Sequence, residues 1–207
     1  MFIDTHAHIY SEQFSDDKSG LLERAAASQV GTILMPAIGS QTHELMFERE
    51  ANSPVQCLSM MGLHPCSVTA DFEKELLIAE RYLQTRSFVA IGETGLDFYW
   101  DLTFKEQQLA AFNQQMDWAI AYNIPVVIHS RNATPECIEA VEKKTGRGLK
   151  GVFHCFGGTV EEAKAIMDLG FYLGIGGVLT FKKTGLGDVL QQTGMDQIIL
   201  ETDAPYL

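Results

Sequence analysis

Residues 2–8 read FIDTHAH and place Asp4, His6 and His8 at every second position. Side chains two apart on a β-strand project from one face. These three would therefore share a side, with Thr5 and Ala7 opposite. Imidazole is the commonest protein ligand for zinc and other transition metals, so two rings on one face could grip a single ion. A lone His-x-His is also met as one buried, hydrogen-bonded histidine beside a surface one, because short motifs match by chance. The remainder of the chain has to decide between these readings.

Further groups of the same chemistry recur downstream. His64 lies in MGLHP, Glu93 in AIGETGLD, His129 in PVVIHSR, His154 in GVFHCF and Asp203 in ILETDAPY. Each follows, or ends, a short apolar run.

The elements that must carry them alternate. Short β-rich runs are expected at 2–6, 31–36, 56–61, 88–91, 125–129, 151–154, 171–175 and 197–201. Amphipathic helical stretches are expected at 21–28, 43–51, 73–85, 103–122, 134–144, 160–169 and 186–193. The stretch from Thr103 is the clearest helix, with Leu109, Phe112, Met116 and Ala119 at helical spacing and Glu106 three residues after a Thr103 cap. Eight strands with seven intervening helices fit a TIM-type (β/α)8 barrel in one domain spanning 1–207; a doubly wound sheet is the alternative. In a barrel, catalysis sits at the C-terminal ends of the strands. Five of the six histidines fall there and only His43 falls in a helix, which favours a metal site over core histidines.

The motifs DTHAH, GLHP, IGETGLD, PVVIHSR, FHCFGG and LETDAPYL, in this order through the whole chain, resemble the TatD family of metal-dependent nucleases. The resemblance implies a TIM barrel holding one or two divalent ions (Mg, Mn or Zn), with His6, His8, Glu93, His129, His154 and Asp203 as ligands. It also implies a basic segment and a closing helix beyond the last motif. This chain stops just after the eighth strand, so the eighth helix is absent from it, and outward residues such as Ile198 and Leu200 need another cover.

Chemistry assigns each group a task. His6 and His8 should share one ion with Asp203, and His129 and His154 a second, with Glu93 bridging. Two such ions activate a water and stabilise the attacking and leaving oxygens of a phosphodiester. Asp203 can take the water's proton, which makes Asp203, Glu93 and His64 the catalytic candidates. His64 is read as a contact to phosphate or leaving group, or else as a turn histidine before Pro65. Asp4 and Glu201, one layer deeper, are second-layer groups orienting ligands or buried structural hydrogen-bonding groups. Arg131 could grip a phosphate or serve a capping or surface role. Lys182, beside Lys183, follows strand seven where barrels often bind phosphate, or is simply solvated. Tyr99 and Trp100 could stack on a base or pack the loop. The basic stretch EKKTGRGLK enters strand six from the opposite face.

Composition sets outer bounds. Hydrophobic residues make up 46% and charged residues 20%, within globular averages. The formal net charge of −12 argues against nucleic-acid binding through a broad basic surface. It leaves a phosphoester substrate open, because bound divalent ions would dominate the local field. No apolar run is long enough to span a membrane, and the first strand begins without a signal peptide. Four cysteines without Cys-x-x-Cys spacing fit reduced thiols in a cytoplasmic protein. The expected function is hydrolysis of DNA or another phosphodiester, with no membrane and no obligate protein partner. The alternatives are a metal-dependent hydrolase of a small amide, lactone or ester, and a catalytically silent metal-binding protein.

Overall fold

The computed structural model describes residues 1–206. Eight strands and seven α-helices alternate: β1 (Phe2–Asp4), α1 (Lys18–Ala27), β2 (Val30–Met35), α2 (His43–Ala51), β3 (Gln56–Ser59), α3 (Phe72–Thr85), β4 (Ile91–Asp97), α4 (Lys105–Tyr122), β5 (Val126–Arg131), α5 (Thr134–Glu142), β6 (Gly151–Phe153), α6 (Val160–Asp168), β7 (Tyr172–Ile175), α7 (Leu186–Thr193) and β8 (Ile198–Leu200). All strand pairs are parallel and in chain order, in ladders β1-β2-β3 and β4-β5-β6-β7-β8. Backbone hydrogen bonds close both seams. Gly92 N–H donates to the Met61 carbonyl (3.0 Å) between β3 and β4, and Thr5 N–H donates to the Leu200 carbonyl (3.1 Å) between β8 and β1. The result is a TIM-type barrel.

A small apolar cluster of Met60, Ala90, Val127 and Val152, joined by Leu34 and Ile199, floors the barrel. Val127, Val152 and Ile199 each stand two residues before a site residue (His129, His154 and Glu201), so they face the same interior one layer down. The larger core lies between the strands and the helices. Ile198 packs against that core rather than standing uncovered, because its outward face meets the helical layer. Leu200 is 56% exposed.

Two expectations about element ends need correction. The fourth strand runs Ile91–Asp97 instead of 88–91. Its Gly, Glu and Asp residues have poor strand propensity, but the segment is wholly buried and pairs with β5 from Ile91 through Asp97. Thr103 does not cap α4; its hydroxyl donates to Asp101 Oδ1 (2.7 Å) and the helix begins at Lys105. The reciprocal capping box belongs to α6, where Thr159 and Glu162 each take the other's backbone N–H.

Helix α4 positions the site through two buried glutamines. Gln108 accepts from Asp97 N–H (2.9 Å) and donates to its carbonyl (3.2 Å). Gln115 accepts from Leu63 N–H (2.7 Å) and donates to Thr94 Oγ1 (2.6 Å). The loop ahead of His64 and the strand bearing Glu93 are thereby tied to one rigid helix.

Candidate active site and metal centre

At the C-terminal mouth the side chains of His8, His64, Glu93, His129, His154 and Asp203 line a cavity of about 370 Å³, and fully buried His6 joins them from beneath through Glu93 and Asp203. β1 ends at Asp4 instead of running through residue 6, so His6 and His8 stand in the segment just beyond it, yet both turn Nε2 toward the same oxygen. His6 Nε2 lies 3.3 Å and His8 Nε2 3.4 Å from Glu93 Oε2, and each is 3.6 Å from Asp203 Oδ1. The other Glu93 oxygen faces the opposite wall: His154 Nε2 at 2.6 Å, His129 Nδ1 at 2.9 Å and His64 Nε2 at 3.4 Å from Oε1.

These spacings and donor types fit divalent ions. Two donors each about 2.1 Å from one tetrahedral ion lie about 3.4 Å apart, matching the His6–Glu93–His8–Asp203 separations. Both ring nitrogens of buried His6 and Nδ1 of His154 have no hydrogen-bond partner, a costly state for buried polar atoms unless something else engages them. Three residue groups offer ligand atoms within 4.8 Å of one another: His6–His8–Asp203, His6–Glu93–His154 and His64–Glu93–His129.

His64 differs from the others in the nitrogen it turns to the cavity. Its Nδ1 accepts from Cys66 N–H (3.0 Å), so in the neutral ring the proton sits on Nε2. The nitrogen facing the cavity is a donor with no lone pair to offer an ion. The turn that sets this ring is short: His64 caps the 3-10 segment Pro65–Ser67.

The local electrostatics follow burial and crowding. Burial works to raise Glu93, but the surrounding His154, His64 and His6, with the hydrogen bond from His129, hold its carboxyl far below the usual range. Burial pushes His6 down to about 3. His154 also resists charging through burial, yet Glu93, Glu201 and Asp203 carry it up to about 9. Burial raises Asp203, assisted by Glu93 and opposed by His154. Without cations this is a pocket of competing charges, the pattern expected where function sets pKa values.

The supporting layer includes one group that the sequence reading missed. Asp97 Oδ2 accepts from His129 Nε2 (3.0 Å), leaving Nδ1 to face Glu93. Burial raises Asp97, but this bond and Tyr99 N–H bring it down to about 2. Its signal was the strand period, since Glu93, Gly95 and Asp97 share one face. Gly95 is required there: at φ +136° an added Cβ would stand 2.0 Å from the His129 carbonyl oxygen. Glu201 lies 3.8 Å from His154 Nδ1 and accepts Cys155 N–H; burial lifts it to about 7. Gly174 makes room for that carboxylate, since a Cβ there would be 2.3 Å from Oε2. Asp4 contacts backbone instead of a ring. Its Oδ1 takes the N–H of His6 (3.3 Å) and Thr202 (3.0 Å), and Oδ2 the Thr202 hydroxyl (2.7 Å), lacing β1 to the segment that bears Asp203.

The outer rim separates the remaining candidates. Arg131 lines the cavity with its guanidinium 4.0 Å above the Tyr99 ring and 5.1 Å from that of Trp100, which is 69% exposed. Among the described residues lining the cavity, Arg131 is the sole Arg or Lys. Lys182 is a correction: it lies exposed after the 3-10 segment Gly177–Thr180 and does not line the cavity. Cys66 does line it, and burial together with Asp97 pushes its thiol up to about 12, so it stays protonated. The stretch EKKTGRGLK is structural: Lys144 and Arg147 both pair with Asp117, at 2.8 and 2.9 Å.

A parallel barrel with carboxylates and imidazoles gathered at its C-terminal mouth defines a metal-dependent hydrolase. The chain matches the family described as TatD related DNase over residues 3–207. It belongs to that family, whose members hydrolyse ester bonds with divalent metal. It is 32% identical to the Bacillus subtilis protein named uncharacterized metal-dependent hydrolase YabD, covering 100% of this chain and 81% of that one. It is also 32% identical to the Pantoea ananatis protein named 3'-5' ssDNA/RNA exonuclease TatD, covering 99% of this chain and 79% of the relative. The crystal structure of the Escherichia coli TatD homologue YjjV superposes with a TM-score of 0.86 at 31% identity, covering 99% of this chain and 79% of that one.

Proposed function

We propose that this chain hydrolyses phosphodiester bonds in nucleic acid, with divalent ions held by His6, His8, Glu93 and Asp203 on one side and by Glu93, His129 and His154 on the other. One observation carries the reading: the two oxygens of Glu93 are divided between two histidine pairs, His6/His8 and His129/His154. Bound there, the ions would supply an activated water and charge stabilisation for the attacking and leaving oxygens.

The residues do the rest. Asp203 turns Oδ1 to His6 and His8, leaving its second oxygen to accept a proton from the attacking water. His64 presents its Nε2–H to the cavity and donates to a phosphate oxygen or the departing one. Arg131 neutralises a neighbouring phosphate while its face stays stacked on Tyr99. Exposed Trp100 offers a surface on which a base can stack. Relatives named as single-strand exonucleases support a nucleic-acid substrate for this chain.

The rival substrate class is a small amide, lactone or ester. A panel assay on the manganese-loaded protein separates the two. Single-stranded oligonucleotides and bis(p-nitrophenyl) phosphate should turn over, with lactones and acyl amides far slower. Faster turnover of lactones or amides would overturn the proposal.

A further inference from the structure

Tyr10 lies two residues beyond His8, buried to 5% exposure, in a position the sequence reading left without a role. Its hydroxyl oxygen is 2.5 Å from the Pro36 carbonyl oxygen and 3.2 Å from His8 Nδ1. A carbonyl can only accept. At 2.5 Å two oxygens are held together by a shared hydrogen, so the single phenolic proton goes to Pro36. The phenolic oxygen then has only lone pairs to offer His8, and Nδ1 must be the N–H partner. A neutral imidazole with its hydrogen on Nδ1 has its lone pair on Nε2. Nε2 is the atom that faces Glu93 Oε2 and Asp203 Oδ1.

From this chain we infer that Tyr10 is a positioning residue for the metal centre: the relay Pro36 carbonyl, Tyr10 hydroxyl, His8 Nδ1–H fixes the tautomer that frees His8 Nε2 as a ligand. The inference rests on the proposed metal role of His8. It assigns His8 a different outer partner from His129, whose Nε2 meets the Asp97 carboxylate. A neutral phenol leaves the ring less electron-rich than a carboxylate does, so the two walls of the site are built with unequal donors. The same contact ties the loop after β1 to the end of β2, because Pro36 directly follows that strand.

The test uses zinc and Tyr10→Phe, which keeps the ring and removes only the hydroxyl. In the zinc-loaded parent, nitrogen-15 spectra should show His8 with hydrogen on Nδ1, protected from solvent exchange. In the variant that protection should disappear. Competition with a chelator should show one zinc bound about 10–100-fold more weakly, the usual effect of losing an outer partner, and the other little changed. A folded variant that binds both zincs as tightly as the parent would overturn the inference. So would a zinc-loaded parent whose His8 carries no hydrogen on Nδ1, a result independent of whether the variant folds. A parent that binds no zinc at all would instead count against the metal role of the site itself.

Discussion

His129 stands between two carboxylates, with Nδ1 2.9 Å from Glu93 Oε1 and Nε2 3.0 Å from Asp97 Oδ2. Both ring nitrogens donate to carboxylates as the structure stands; an ion bound beside Glu93 would take the place of the Nδ1 hydrogen, and the outer bond would keep the remaining one on Nε2. Asp97→Ala should therefore weaken binding of the ion shared by His129 and His154 by about 10–100-fold. Asp97→Asn, whose amide oxygen still accepts, should cost less. Zinc titration of the two variants against the parent checks the order.

The same aspartate should shape acid stability of the metal-free protein. Folding moves Asp97 from its ordinary 3.8 to about 2: burial raises it, but the His129 hydrogen bond and charge, Tyr99 N–H and Cys66 together outweigh that. A depressed carboxyl contributes stability above its unfolded value and loses it as pH falls through the folded one. The parent should lose stability more steeply than Asp97→Asn between about pH 4 and pH 2. Equal slopes in urea midpoints over that window would remove Asp97 from the acid response.

Asp203→Asn should keep the fold, because its backbone N–H still donates to the His6 carbonyl. The amide can coordinate weakly but cannot accept the water's proton. Turnover should fall by about 100- to 10,000-fold, the range for losing a general base, with KM for an oligonucleotide little changed. Parent-level kcat in this variant would reassign the base.

His64→Ala should leave metal content near that of the parent, since the ring presents N–H rather than a lone pair to the cavity. Loss of one donor to the developing charge should lower kcat by about 100- to 1,000-fold. Metal analysis alongside steady-state kinetics distinguishes this from loss of an ion.

The alternation of apolar runs and amphipathic stretches made the barrel legible, because each βα unit has its own hydrophobic period. Strand-end placement likewise singled out His6, His8, His129 and His154, which the structure brings to one mouth. What escaped was set by contacts that no local pattern encodes. The strand through Glu93 is glycine-rich and acidic, so its propensity argued against it until burial by α4 and pairing with β5 are known. Asp97 shared Glu93's face but sat in a motif read only for its glutamate. Tyr10 acquires a role only through Pro36, which reaches it by chain folding. Lys182 follows the right strand end but stands exposed, outside the lining of the cavity.

The most direct test of the two-ion phosphodiesterase account is hydrolysis of an end-labelled single-stranded oligonucleotide by protein stripped with a chelator and then reloaded with manganese. Hydrolysis should vanish on stripping, return on reloading, and remain absent in Glu93→Gln, because the divided carboxylate that joins both histidine pairs is lost. Full hydrolysis by the stripped protein, or by reloaded Glu93→Gln, would contradict the account.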